Sequence, residues 1–172
     1  MKTTLTSAQA SKMLKKFKAE IDSLLTDDAK RRTFVVSVGE DVESVRPAYD
    51  YALAQEKQNE IERKMRKLKH ALNVFNSTTV IPEFGITIDE MLVYIPQLTA
   101  RVEKLRKMGE RLPKERVTAG SMSSRQNIIE YVYANYDVAA AKADYERLAD
   151  ELSRAQLALD GVNNKMTLDV EL

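Results

Sequence analysis

The stretch that most constrains the fold is Asp137 to Asn163. Its apolar residues fall at Val138, Ala141, Tyr145, Leu148, Leu152, Ala155, Leu159 and Val162. The steps alternate between three and four residues, which is the heptad seam of a long helix that packs against another helix. Asp137 stands where an N-cap belongs, and Gly161 with Asn163 and Asn164 supplies stop signals. A stripe of this kind is core and holds no cofactor.

Composition supports a helical reading. The chain has 172 residues, 44% hydrophobic and 31% charged, with only five glycines and four prolines. Such a chain reads as one helical domain over 1–172, long enough to bury a core without disulfides or metals. A net charge of +1 gives no overall pull toward nucleic acid or anionic lipid. The lack of cysteine excludes disulfides, thiolate nucleophiles and cysteine-ligated zinc. The N-terminus, Met-Lys-Thr-Thr-Leu-Thr-Ser, has no secretory apolar run, and no stretch is apolar enough to span a membrane. The expectation is a soluble, cytoplasmic protein.

Taken in order, Thr6 and Gln9 have capping-box spacing and open a first helix carrying Ala10, Met13, Leu14, Phe17, Ile21, Leu24 and Leu25. It is expected to end near Thr26-Asp27-Asp28. Thr33 to Val38 is β-branched and closed by Gly39, so it reads as a strand, with 128–133 as the expected partner. Pro47 suits the first turn of a long helix reaching about Phe75, whose seam is Ile61, Met65, Leu68, Leu72 and Phe75. After a turn-rich link, Thr87 and Glu90 form a second capping box, with Ile86 and Met91 placed as a hydrophobic staple. Pro96 interrupts that helix and predicts a kink. Residues 117–127 read as a loop suited to partner contact, without a Walker pattern. The tail alternates Leu168, Val170 and Leu172, an extended segment that docks on something.

The chemistry-bearing residues point away from catalysis. His70 is the only histidine, so neither a zinc site nor a di-iron Glu-x-x-His pair can be assembled; residue 67 is Lys. The carboxylates lie among Lys and Arg on helix faces, as with Glu60 and Lys64. No catalytic, metal or cofactor-binding residue is assigned. Two basic runs, 63–69 and 101–116, allow phosphate contacts. The preferred reading is that they complement residues 137–163, which hold six acidic residues against three basic ones. The candidate interaction residues are Arg63, Arg66, Lys67, Arg106, Lys107, Tyr131 and Tyr133, the tyrosines either covering a ribbon or offering a stacking platform.

Asn76-Ser77-Thr78-Thr79, followed by Ile86-Thr87-Ile88-Asp89-Glu90-Met91-Leu92, resembles a segment of the DIP1984-like, or septicolysin-like, bacterial helical proteins. Asp137-Val138, the heptad helix, Leu159-Asp160, Asn163-Asn164, Thr167 and Leu172 extend the likeness over roughly residues 60–172. The family's tryptophan near the C-terminus is absent, since the chain has no Trp. The resemblance implies a mostly helical fold with a small β-ribbon, of largely unknown function. The family name suggests pore formation, and the resemblance transfers no catalytic residue.

Together these features predict a mainly α protein. Four principal helices form an antiparallel bundle with a coiled-coil-like hairpin, and there is a small two-stranded β-ribbon. The expected role is non-enzymatic: a structural or protein-interaction module that self-associates as a homo-oligomer through leftover apolar seam surface of its coiled-coil helices. Nucleic-acid binding through the basic runs is the alternative, and membrane activity stands third.

Overall fold

The computed structural model describes residues 2–117 and 129–172. The fold is mainly α, with small antiparallel ribbons. Four long helices are present, α1 (Ser7–Arg31), α3 (Tyr51–Thr78), α4 (Ile88–Gly109) and α5 (Val138–Lys165), and a single turn, α2 (Val42–Val45), precedes α3. The strands are β1 (Lys2–Thr6), β2 (Val80–Ile81), β3 (Ile86–Thr87), β4 (Lys114–Arg116), β5 (Tyr131–Tyr133) and β6 (Thr167–Glu171). They pair as β1 with β6, β2 with β3 and β4 with β5, each pair antiparallel. The chain forms two compact units, residues 1–79 with 161–172, and residues 80–160.

In the first unit, α1 packs antiparallel to α3, and β6 lies against α3. Successive side chains of a strand point to opposite faces. One face of the β1–β6 ribbon therefore carries Leu5, Leu168 and Val170, all buried. The opposite face carries Asp169, which accepts a 2.6 Å hydrogen bond from the Thr4 hydroxyl and pairs with Lys2 at 3.0 Å. The tail thus docks as an alternating strand. Thr6 ends β1 and caps α1: its hydroxyl accepts from the Gln9 N–H, and the Gln9 side chain accepts from the Thr6 N–H. The α3 seam is buried at Ile61, Leu68, Leu72 and Phe75.

The second unit repeats this strand-to-helix device. Thr87 ends β3 and caps α4 with Glu90 as its reciprocal partner. The α4 side chains Ile88, Met91 and Leu98 are buried. On α5, Ala141, Leu148, Ala155 and Val162 are buried at seven-residue intervals, while Val138, Tyr145, Leu152 and Leu159 are partly covered. The heptad seam is therefore the inner face of one continuous helix. Asp137 caps it by accepting from the N–H groups of Ala139 and Ala140. Helices α4 and α5 run antiparallel: Gly109 approaches Lys142, where an added Cβ would sit 3.2 Å from the Lys142 Cα, and Tyr94 meets Glu151.

Several boundaries differ from the sequence reading. Residues 33–38 form no strand; Val35 and Val38 are 92% and 108% exposed. Their backbone instead enters a turn in which Glu40 N–H donates to Ser37 O, with Gly39 at φ +89°. The residues expected to partner them are paired elsewhere, Tyr131–Tyr133 with Lys114–Arg116. Without a partner, β propensity fixes nothing. Helix α1 continues to Arg31, and α3 begins at Tyr51 under an Asp50 cap, so Pro47 precedes the helix. Helix α4 runs through Pro96 to Gly109, and α5 runs through Gly161 to Lys165. Of the expected 117–127 loop, Val117 bonds Glu130 O, and the remainder lies outside the described residues.

Candidate interaction surfaces

The first basic run lies on α3, where Arg63, Arg66 and Lys67 are exposed. Only Arg66 of these three lines the groove between α1 and α3, an open channel of about 610 Å³ whose other walls include Leu14, Lys15, Lys18, Met65 and Lys69. Arg63, and Arg66 again, line a neighbouring surface with Glu56 and Glu60. The α1 lysines were not singled out from the sequence. Lys12, Lys15, Lys16 and Lys18 follow one another closely enough to be noticed as a run, but only the antiparallel packing brings that run beside Arg66.

Within the second run, Arg106 and Lys107 are matched by neighbouring acids. Arg106 pairs with Glu103 at 2.9 Å and with Glu110 at 2.7 Å, and Lys107 reaches Glu103 at 3.3 Å. Hydrogen bonds from Arg106 and then Lys107 hold the Glu103 carboxyl down at about 2. These are pairs three and four residues apart on one helix face. Helix α4 therefore supplies its own counter-charges rather than borrowing them from acidic α5. On α5, Asp144 and Glu151 likewise face Arg147 of their own helix. Between elements the sign is reversed, with Arg154 of α5 pairing Glu83 at 2.9 Å.

Tyr131 and Tyr133 sit on one face of β5. The Lys114 ammonium lies 4.1 Å from the first ring's centre and 5.3 Å from the second, a cation–π arrangement. All three residues of each strand are exposed. Ile129 and Leu112, flanking the ribbon, are exposed as well.

A second groove lies where α4 begins and is lined by Phe84, Ile86, Val93, Tyr94 and Glu151. Tyr94 donates a hydrogen bond to Glu151, which raises the tyrosine's pKa because the carboxylate stabilises the protonated phenol. The Arg154 guanidinium stands over the Phe84 ring at 5.8 Å. No signal in the sequence links these positions, since Phe84 lies in the β2–β3 turn, Tyr94 on α4, and Glu151 and Arg154 on α5. Among the described residues no cluster of three His, Asp or Glu side chains could hold a metal ion. No described helix is long and apolar enough to cross a membrane.

The fold class is thus a mainly α protein with capped long helices and two-stranded ribbons. In structure the chain is similar to a functionally unknown conserved protein from Corynebacterium diphtheriae. The match has a TM-score of 0.57 and 19% identity, and it spans 96% of this chain and 99% of that one. At that identity the likeness shows the fold alone. No family model matches the chain, and no curated protein does either.

Proposed function

We propose that the protein is a non-enzymatic interaction module that self-associates through apolar surface its own packing leaves uncovered. The observation that carries this reading is the β4–β5 ribbon. An isolated two-stranded ribbon is marginal in water. Yet Tyr131, Val132 and Tyr133 are 44–61% exposed, with the exposed side chains of Leu112 and Ile129 close by in sequence. Among the described residues each strand pairs along one edge only. A second copy's ribbon would supply the missing cover, adding strand pairing and tyrosine contacts. The α5 seam is a poorer surface for this purpose, because Ala141, Leu148, Ala155 and Val162 are already buried.

Light scattering at micromolar concentration tests the reading. The expected mass is a multiple of the 19.5 kDa chain, and Tyr131→Ser with Tyr133→Ser should return it to that of one chain. A wild-type protein that stays monomeric would overturn the proposal.

A further inference from the structure

Residues 12–18 and 63–70 carry nine Lys and Arg and no Asp or Glu. The antiparallel packing of α1 on α3 places four of those cations, Lys15, Lys18, Arg66 and Lys69, along one channel. Its floor is apolar, with the partly covered Leu14 and Met65 exposed to the groove between the lysine stems. No carboxylate lines it, and the His70 imidazole and the Asn73 amide complete its wall. Lys15, Lys18 and Lys69 have no ion-pair partner among the described residues, and Arg66 has only Glu62 at 3.8 Å. Some cations of α3 and α4 are matched by acids on the same face, as Lys64 is by Glu60 and Arg106 is by Glu103 and Glu110; the three lysines of the groove are not. The channel is thus a concentration of unmatched positive charge above uncovered hydrocarbon.

We propose that this channel binds a single-chain anionic amphiphile. The tail lies on Leu14 and Met65, and the phosphate or carboxylate head is held by Lys15, Lys18, Arg66 and Lys69. Each part of the ligand answers one feature of the channel. A bare inorganic anion would leave the hydrocarbon floor in water and recover none of the burial energy. An uncharged detergent would cover the floor but leave the cations unpaired. A nucleic acid would find phosphate partners and one ring, His70, beside them, but would leave the apolar side chains of Leu14 and Met65 without an alkyl partner. Lysine suits this arrangement because its methylene stem can lie along the tail while its ammonium reaches the head. The inference is independent of the self-association reading, which rests on the β4–β5 ribbon.

The test is calorimetric titration of the full chain with dodecyl phosphate below its micellar concentration. Inorganic phosphate, dodecyl maltoside and a single-stranded oligonucleotide serve as the comparison ligands. Dodecyl phosphate is expected to bind at one site, at least about tenfold tighter than phosphate or maltoside, since head and tail each contribute. Lys15→Glu with Lys69→Glu should weaken it by about tenfold or more through charge repulsion. Met65→Gln should weaken dodecyl phosphate but leave inorganic phosphate unchanged, and Lys104→Glu, on α4, should leave both unchanged. Equal affinity for phosphate alone, indifference to the Lys15/Lys69 change, or tighter binding of the oligonucleotide that displaces dodecyl phosphate would each overturn the proposal.

Discussion

Two of the three described ribbons, β1–β6 and β4–β5, differ in what covers them. Both β1–β6 and β4–β5 are single antiparallel pairs with in-register partners. The first alternates cleanly: Leu168 and Val170 are 7% and 6% exposed, while Thr167, Asp169 and Glu171 face water. The second has no inner face, and all six of its residues are exposed. Strand pairing is therefore common to both, and burial separates them. A ribbon with a covered face contributes to the stability of its unit, whereas one without a covered face leaves its apolar rings in water.

The largest effect that would break this comparison is on Leu168. Leu168→Ala removes a buried side chain of the covered ribbon and should cost about 2–5 kcal/mol, read as a lower urea midpoint. Tyr133→Ser in the open ribbon should change the monomer's stability by less than about 0.5 kcal/mol while it alters the assembled mass. If the two substitutions cost the same, cover is not what distinguishes the ribbons. Of intermediate size is Thr6→Ala, which keeps the strand but removes the hydroxyl that caps α1. A loss of about 1 kcal/mol is expected, measurable by the same denaturation. Thr87→Ala, at the matching junction of β3 and α4, should cost a similar amount, about 1 kcal/mol. A much smaller loss at Thr6 would mean that the strand pairing, rather than the cap, fixes where α1 begins.

The helices were legible because periodicity is a local signal that survives in the fold. The eight seam positions of α5 are all buried or partly covered, and both capping boxes form as their spacing implies. The ribbons were harder to read because pairing is long-range. Lys2–Thr6 offers only three threonines and one leucine to suggest a strand, and its partner lies at the other end of the chain. Thr33–Val38 has the stronger composition and no partner at all among the described strands. Helix ends misled for a related reason: Gly161 is tolerated inside α5, where nothing lies within 4 Å of an added Cβ, so its presence marks no stop. The basic groove of α1 and α3 was half legible. Arg66 was visible as part of a run, but its neighbours Lys15 and Lys18 belong to another helix.

The smallest expected effect concerns the outer face of the covered ribbon. The hydrogen bond from the Thr4 hydroxyl, and then the one from Lys2, lower the Asp169 pKa from its ordinary value. A carboxylate whose folded pKa lies below its unfolded one contributes stability that is present above the unfolded value of about 3.9. That contribution is lost as pH falls through the folded value. The pair is exposed, so it should add little at neutral pH and be screened by salt. Asp169→Asn keeps the shape and the acceptor oxygen but removes the titration. The variant should therefore lose less stability than the wild type on acidification below about pH 4, with the difference shrinking as salt is raised. A wild type and variant with parallel acid limbs would show that the β1–β6 ribbon is held by Leu5, Leu168 and Val170 alone, leaving burial as the whole of its difference from β4–β5.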